Sequence, residues 1–431
     1  MARFMISLSA PSPSAWTRVR PYLLVVRVAA LVVMVSAARA AAAQGPAAQP
    51  PATPSPAPSD QQKPAPPPDP IRFGQAVDVI AATPLHGAGV DRNKVASNVQ
   101  TATDADLARL PGGHLGDLLN TSFASVHINE AQSNPFQPDI QFRGFTASPL
   151  LGLPQGLAIY QNGVRVNEPF GDAVNWDVLP STAIASVNLM PGSNPVFGLN
   201  ALGGALSLQT KTGFSHPGHA VTLFGGSFGR AWADVSSGGA RGRVSYFVTG
   251  RLMGENGWRD YSDTTVRQAF ANVEWRGDST AVGLSLTAGA NRMIGNGAAP
   301  VQLLDEDRRA VFTHPDRTTN RVGMFSLNVS HRRSPTTTFE SALYYRPMGR
   351  RTFNGDDTTY GACEAAPESG RLCYDEGEGE PVFDTTGRPI TLGGRDLDAT
   401  NNTSYTGTHG WGGSVQAALA RPVAGLANQL I

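Results

Sequence analysis

The chain has 431 residues, enough for two or three domains, and its 34 Lys+Arg balance its 34 Asp+Glu to a net charge of zero. That balance leaves no basic footprint for nucleic acid. Gly 47 and Pro 33 are abundant but follow no period, so a collagen-like chain is excluded, and charged residues make up only 16%.

At the N-terminus, Arg18 and Arg20 precede an apolar run from Tyr22 to Ala37, interrupted once by Arg27, and the small-residue stretch SAARAAAAQ follows. This is the layout of a cleaved export signal, with Ala40 or Ala43 as the cleavage position, so residues 1–43 are assigned to it. Residues 44–70 are Pro- and Ala-rich, carry no aromatic residue, and cannot bury enough surface to fold; they read as an extended linker. The segment 71–90 contains VDVIAATPL, a short β-prone run with no partner nearby, closed by Pro84, which lacks an N–H for pairing.

From Asp91 the chain reads as a small α+β domain with a mixed sheet, over residues 91–213. Thr103 or Asp104 caps a helix running through Leu110 and stopped by Pro111-Gly112-Gly113. A second helix over 114–120 buries Leu115, Leu118 and Leu119 on one face. Strands are expected near Val126, Ile140, Ile159, Val187 and Leu206. Asn162-Gly163 between two apolar runs marks a hairpin. Gly203-Gly204 opens the last strand, where only glycine lets the backbone turn sharply or pack closely.

Beyond residue 214 the pattern changes to period-two alternation. Val244, Tyr246, Val248 and Leu252 fall on one side of a strand, with Ser245, Thr249 and Arg251 on the other. Eight such strands are read at about 219–226, 230–238, 243–254, 266–277, 279–292, 322–333, 337–350 and 405–421. Tight turns alternate with progressively longer connections, the signature of an antiparallel transmembrane β-barrel rather than a sandwich. The fold class is therefore an α+β domain followed by all-β barrel strands, here an incomplete barrel over 214–431. Cys363 and Cys373 share the longest connection, and in an exported chain they are expected to form a disulfide. The same connection holds Asp356-Asp357 and DEGEGE from Asp375, which reads as a solvated acidic run. With no clustered His beside the two Cys, no metal site is expected. HExxH and P-loop patterns do not occur, so no enzyme, catalytic residue or cofactor is expected.

The order IQFRGF, LAIYQNGVRVNEPFGDAVNW and VNLMPGSNPVFGLNALGGALSLQTK resembles the plug domain of TonB-dependent outer-membrane receptors. The resemblance carries Arg143-Gly144 as the plug's Arg-Gly strand motif, with Gly203-Gly204 as its Gly-rich turn. It makes Val77, Asp78, Val79, Ile80, Ala81, Ala82 and Thr83 the TonB box, a strand added to the partner's sheet edge through main-chain hydrogen bonds. It turns the loops 146–154 and 167–176 outward, with Phe170, Asn175 and Trp176 as a ligand platform. The usual Glu and Arg before the last Gly-rich turn are Asn188 and Pro191 here, which removes the family's ionic latch between plug and wall. What the resemblance implies is energy-coupled uptake of a scarce small-molecule ligand, such as a siderophore-like metal chelate. The partners it implies are TonB with its inner-membrane energising complex and the outer-membrane lipid, with plug and box facing the periplasm. A passive channel or surface adhesin on the same barrel is the rival reading. Such receptors close about 22 strands around the plug, whereas eight strands enclose only their own side chains. The chain is accordingly expected to hold the plug and about the first third of the wall, with ANQLI starting a ninth strand and Ile431 in place of a terminal aromatic.

Overall fold

In a computed structural model, the described residues are 97–364, 369–393 and 399–420, with the backbone of 79–80, 90–91 and 429–430. The signal, the linker and most of the 77–83 segment lie outside them; Val79–Ile80 alone is described there, as a two-residue strand.

The first folded domain holds two sheets. β1 (Gln100–Thr103), β5 (Leu157–Gln161), β6 (Val164–Arg165), β7 (Ile184–Pro191) and β8 (Gly204–Thr210) form a five-stranded sheet in the order β1-β7-β8-β5-β6. It is mixed, because β8 runs parallel to β5, with Leu206 opposite Ile159, and antiparallel to β7. β2 (Val126–Asn129), β3 (Asp139–Phe142) and β4 (Phe145–Ala147) form a smaller antiparallel sheet. Two short helices precede it, α1 (Asp104–Leu107) and α2 (Leu115–Ser122). The Asp106 carboxylate accepts from the Thr103 N–H at 2.9 Å, which fixes the start of α1. α2 turns Leu115, Leu118 and Leu119 inward, as its sequence spacing requires.

The central sheet is covered on both faces. Ile159, Val187, Leu189 and Leu206 join Leu118, Leu119, Ile140, Phe142 and Trp176 in one core. Ala158, Tyr160, Met190 and Ala205 pack with Phe197 on the other side. That explains why all five residues of β5 are buried and why Leu157 to Tyr160 form a continuous apolar run. Each large side chain so buried contributes about 1.5–3 kcal/mol.

Two hairpins turn on residues with positive φ. Asn162 (49°) and Gly163 (82°) join β5 to β6, and Arg143 (50°) and Gly144 (86°) join β3 to β4. Both have the left-handed pair that matches strand twist in a two-residue turn. Arg143-Gly144 is thus the turn itself and not part of a strand, a correction to the sequence reading. Gly203 and Gly204 are required for different reasons. A Cβ on Gly203 would lie 2.6 Å from the Phe145 ring, and one on Gly204, at φ 139°, would lie 2.3 Å from the Met190 carbonyl oxygen.

The second unit of the fold is one antiparallel sheet, here called the wall. Its strands are β9 (Gly218–Gly225), β10 (Ala231–Arg241), β11 (Val244–Glu255), β12 (Thr264–Arg276), β13 (Thr280–Ile294), β14 (Arg317–Ser334), β15 (Thr337–Asp356) and β16 (Thr400–Ala420). They pair in chain order, and Gln429–Leu430 adds to β16. Among the described residues the sheet does not close on itself. All eight strands read from alternation are present, and most are longer than the alternation indicated. The alternation is inside out: Ser245, Thr249 and Arg251 are buried on the inner face, while Val244, Tyr246 and Val248 are exposed outside. Tight connections at 242–243, 277–279 and 335–336 mark one end. Longer ones at 256–263, 295–316 and 357–399 mark the other, and the second of them carries α3 (Val301–Glu306). In the longest, Cys363 and Cys373 are disulfide-bonded and buried with Leu372 and Val382. Among the described residues no helix is long and apolar enough to cross a membrane.

Gly204→Ala is expected to lower plug stability by at least about 2 kcal/mol, because it adds a backbone clash to the left-handed strain. Gly152→Ala, at φ 84° with nothing within 4 Å, should cost only about 1 kcal/mol. Thermal unfolding of the two variants checks the difference; equal losses would remove the close-approach explanation.

Candidate functional site: the seam between plug and wall

The wall presents polar side chains to the plug, and the plug answers with carboxylates, amides and main-chain carbonyls. Three clusters make up most of the seam.

The first centres on Glu168, in the loop after β6. Its Oε1 accepts from Arg346 Nη2 on β15 at 2.7 Å and from Asn175 Nδ2 at 3.1 Å. Oε2 accepts from Thr408 Oγ1 on β16 at 3.3 Å. Arg346 and Glu168 are 5% and 9% exposed, so this is a buried ion pair between the two units of the fold. Beside it, Arg350 Nη1 donates to the Pro149 carbonyl at 2.6 Å.

The second centres on Asp177, in the single helical turn Trp176–Val178. Trp176 anchors that turn in the plug core, and its Nε1 donates to the Ala147 carbonyl at 3.0 Å. Asp177 consequently points at the wall. Its Oδ1 accepts from Asn320 Nδ2 and its Oδ2 from Asn291 Nδ2, each at 2.8 Å. Its main-chain carbonyl accepts from Asn291 Nδ2 at 2.7 Å and Gln268 Nε2 at 2.6 Å. Burial pushes the Asp177 carboxyl up to about 6, against the lowering effect of the two amides and the Arg350 charge.

The third centres on Arg251 of β11. It makes a bidentate pair with Asp234 of β10, both contacts at 2.7 Å, and this fixes the guanidinium plane. Its remaining Nη1 donates to the Gly112 carbonyl and to Ser181 Oγ, both at 3.2 Å. His114 stands next to it, edge-on to Phe136 with ring centroids 4.7 Å apart. Burial, with the charges of Arg251 and Arg230, lowers the His114 imidazole to about 4. Phe136, Val178 and Ala183 of the plug also pack on apolar wall residues, among them Met293, Val322 and Phe247, and two smaller polar contacts lie beside them. Gln161 Nε2 donates to Thr287 Oγ1 at 2.8 Å, and Asn134 Nδ2 donates to Thr264 Oγ1 at 2.9 Å.

The three residues read as a ligand platform do not meet at one surface. Phe170 is 66% exposed, Asn175 is buried in the Glu168 cluster, and Trp176 lies in the plug core. Asn188 accepts from Thr101 Oγ1 within the plug sheet. The ion pair across the seam is instead Glu168–Arg346, which the sequence reading did not single out. Its one visible signal is the arginine at an inward position of a wall strand. Among the described residues no group of three or more His, Cys, Asp and Glu side chains gathers as a metal site would.

Residues 91–205 match the family model of the TonB-dependent receptor plug domain. A search of curated protein sequences finds no match. Among solved structures, the chain is similar to the closed form of the ferric-catecholate import receptor Fiu from E. coli K12. The TM-score is 0.57 at 11% identity, covering 79% of this chain and 46% of that one. It is similar to P. aeruginosa FpvA bound to heterologous pyoverdines, with TM-score 0.56 and 12% identity, over 81% and 43% of the two chains. It is also similar to the unliganded ferric citrate transporter FecA, with TM-score 0.51 and 13% identity, over 79% and 59%. The chain thus spans about half the length of these structures.

Two outcomes test the seam. Glu168→Gln leaves Arg346 buried without its counter-charge and is expected to cost about 3 kcal/mol, whereas Glu168→Met with Arg346→Met should cost less than the single change. Urea unfolding, with protease sensitivity of the plug as a second readout, gives both values. The Asp177 prediction concerns pH. Its folded pKa lies above the ordinary value of about 4, so the native state takes up a proton between about pH 6 and pH 4 that the unfolded state does not. Asp177 therefore adds stability as pH falls through that window, while His114, held below its ordinary value, removes stability from about 6.5 down to 4. Asp177→Asn should match the parent at pH 7.5 and fall behind it by about 2 kcal/mol at pH 4.5. Parallel melting curves that keep a constant gap would contradict this.

Proposed function

The chain has the fold of a TonB-dependent receptor, a plug seated on the inner face of a β-wall, and on that premise we propose that it serves energy-coupled uptake across an outer membrane. The observation that carries the reading is the seam. Among the described residues, a plug with its own apolar core is held to the wall by buried hydrogen bonds, the Glu168–Arg346 ion pair and three small apolar clusters. The polar contacts re-form with water when the two surfaces part, so a plug attached this way can be displaced and reseated.

The cargo is a scarce metal chelate of siderophore type. The similar structures are named for import of ferric catecholates, for ferric citrate transport and for bound pyoverdine, which supports this choice. Phe170, exposed on the loop that also holds Glu168, is the plug residue proposed to meet the chelate, while Asn175 and Trp176 set that loop's position. Residues 77–83 are the proposed contact with TonB and its inner-membrane energising complex. The signal over 1–43 would place the protein in the outer membrane with this segment in the periplasm. No covalent step is involved.

The route of the pull follows from the sheet order. β1 lies closest in the chain to 77–83 and is the edge strand of the plug sheet, attached to β7 from Gln100–Leu189 to Thr103–Ser186. Tension from the N-terminal side reaches β1 first, then α1 and the Gly112 carbonyl that Arg251 holds. An edge strand has one neighbour to lose, which makes it the lowest-cost place to begin opening.

Deleting residues 77–83 is expected to abolish uptake of the ferric chelate and growth under iron limitation, with surface binding of the chelate kept within about twofold. Radiolabelled iron uptake, with binding measured on de-energised cells, separates the two. Undiminished uptake would favour the passive channel; loss of binding as well would mean that the deletion had damaged the plug.

A further inference from the structure

At the tight-turn end of the wall, part of the inner face is left unmatched by the plug. A cavity of about 300 Å³ opens there between β12, β13, β14 and β15 and the foot of the plug. The strand registers set its lining in rows. Glu274 is opposite Gly283, Gly283 is opposite Asn328, and Asn328 is opposite Ala342. One row nearer the turns, Arg276 is opposite Ala281, Ala281 is opposite Ser330, and Ser330 is opposite Glu340. These positions share parity with Asn272 and Ser326, both buried on the inner face. Gly283, Ala281 and Ala342 carry little or no side chain, and that leaves the space.

Three buried oxygens in the lining have no hydrogen-bond partner among the described residues: Glu340 Oε2, Asn328 Oδ1 and Asn272 Oδ1. Asn272 is only 8% exposed, and its Nδ2 is spent on the Leu284 carbonyl at 3.5 Å, which leaves Oδ1 for the cavity. The neighbouring donors are committed elsewhere. On the plug side, Asn162 Nδ2 donates to Thr210 Oγ1 at 2.7 Å, and the Thr210 N–H donates back to Asn162 Oδ1 at 3.0 Å. On the wall, Arg276 Nε donates to Glu274 Oε1 at 2.6 Å, and its guanidinium lies over the Phe214 ring at 4.2 Å. Arg276 is three strands away from Glu340, roughly 14 Å at the usual strand spacing.

The unpartnered buried atoms of this cavity are therefore all acceptors, and one belongs to a carboxylate. A ligand that fits them brings positive charge and hydrogen-bond donors and needs no acceptor, which describes an ammonium group. The three acceptors do not converge. At the backbone, Asn328 and Glu340 are roughly 8 Å apart, and Asn272 and Asn328 roughly 12 Å. A metal ion gathers its oxygens at about 2.0–2.6 Å around one point, so this spread suits a chain with two charged ends. Glu274, which Arg276 holds through Oε1, stands beside Asn272 on β12 and gives the far end a carboxylate as well.

We propose that this cavity binds a linear aliphatic polyamine. One ammonium sits on Glu340 and Asn328, and a second on Asn272 and Glu274. The methylene chain between them crosses Gly283, where no side chain stands in its way. The inference stands on the lining of the cavity and does not depend on the uptake reading.

The test uses the full chain purified in detergent from the membranes of cells that make it, freed of amines and titrated by calorimetry. Spermidine is expected to bind at least about tenfold more tightly than butylamine, because only the polyamine engages both ends. E340Q should weaken spermidine binding by at least about tenfold. D278N removes a carboxylate that is 89% exposed at the same end of the wall and should leave binding unchanged. G283L fills the cavity and touches no charge; a Cβ at Gly283 meets nothing within 4 Å, so the variant should fold and lose binding. Equal affinity for spermidine and butylamine would overturn the proposal, as would undiminished binding in E340Q or G283L, or an equal loss in D278N. Magnesium displacing spermidine at equal concentration would reassign the cavity to a metal ion and overturn it too. If E340Q does not fold, unchanged binding in G283L is sufficient to overturn it.

Discussion

The constraint on which the structure depends is that the wall turns its polar side chains inward. Arg251, Gln268, Asn291, Asn320 and Arg346 are each less than 10% exposed, and none could be left there without partners. A buried donor with no acceptor costs about 1–3 kcal/mol, and a buried charge with no counter-charge costs more. The plug supplies the acceptors: the Glu168 and Asp177 carboxylates, the Asp177 and Gly112 carbonyls, and Ser181 Oγ. Plug and wall thus complete each other through polar satisfaction, with smaller apolar contacts between them: Phe136 on Trp232, Met253, Val266 and Met293, Val178 on Val322 and Met348, and Ala183 on Phe247 and Phe270. The plug keeps its main core inside, of Leu, Ile, Val and Phe. The wall exposes many of its large apolar residues outside, on the alternate positions of the same strands.

The polar share of the seam bears on the plug displacement proposed above. Parting two apolar faces exposes area at about 25 cal/mol per Å², with nothing in water to offset it. Parting two polar faces returns donors and acceptors to water, and the net loss per hydrogen bond is about 1 kcal/mol. The Glu168–Arg346 pair belongs to the same logic. A buried pair of this kind contributes little net stability over an apolar substitute, because both ions were desolvated to form it. Its worth lies in register: Arg346 has one carboxylate to meet, and only one seating of the plug brings Glu168 to 2.7 Å.

How much of this the sequence carried varies from element to element, for identifiable reasons. The wall strands were legible because each repeats the same period-two pattern, and Ser245, Thr249 and Arg251 already fell on the polar side. Their ends were not. β14 begins at Arg317 and β15 continues to Asp356, where charged residues resemble a loop although the backbone still pairs. The hairpin at Asn162-Gly163 was legible from two residues. Arg143-Gly144 was placed in a strand, although arginine at φ 50° is a turn conformation that no strand pattern signals. Trp176 shows the deeper difficulty. A tryptophan among polar loop residues reads equally as a surface platform or as an anchor, and only the fold-back that brings it to the Ala147 carbonyl decides for the anchor. The seam itself was the least legible part. Glu168 and Arg346 are separated by most of the wall in sequence, and the expected latch at Asn188 and Pro191 drew attention to the wrong strand. Without a second sequence, nothing local ties one inward arginine to one loop glutamate.

On the outer-membrane placement proposed above, strand length constrains the wall in a bilayer independently of the side chains. β15 runs from Thr337 to Asp356, roughly 65 Å of extended chain, or about 50 Å of height at barrel tilt. The apolar band needs about half of that. A band spanning Val282 to Arg292 is level by register with Ser341 to Arg351, which leaves four positions of β15 below it and an excess of five above it, on the side of the long connections. The Asp177 contacts with Asn291 and Asn320 are made where that excess begins, one position along each strand from Arg292 and Arg321. The same few residues of β13 and β14 therefore face two demands at one height. Their inward members hold the plug, and on the proposed outer-membrane placement their outward members, Arg292 and Arg321, face the lipid. Alternation along a single strand lets both be met without either cluster touching the other.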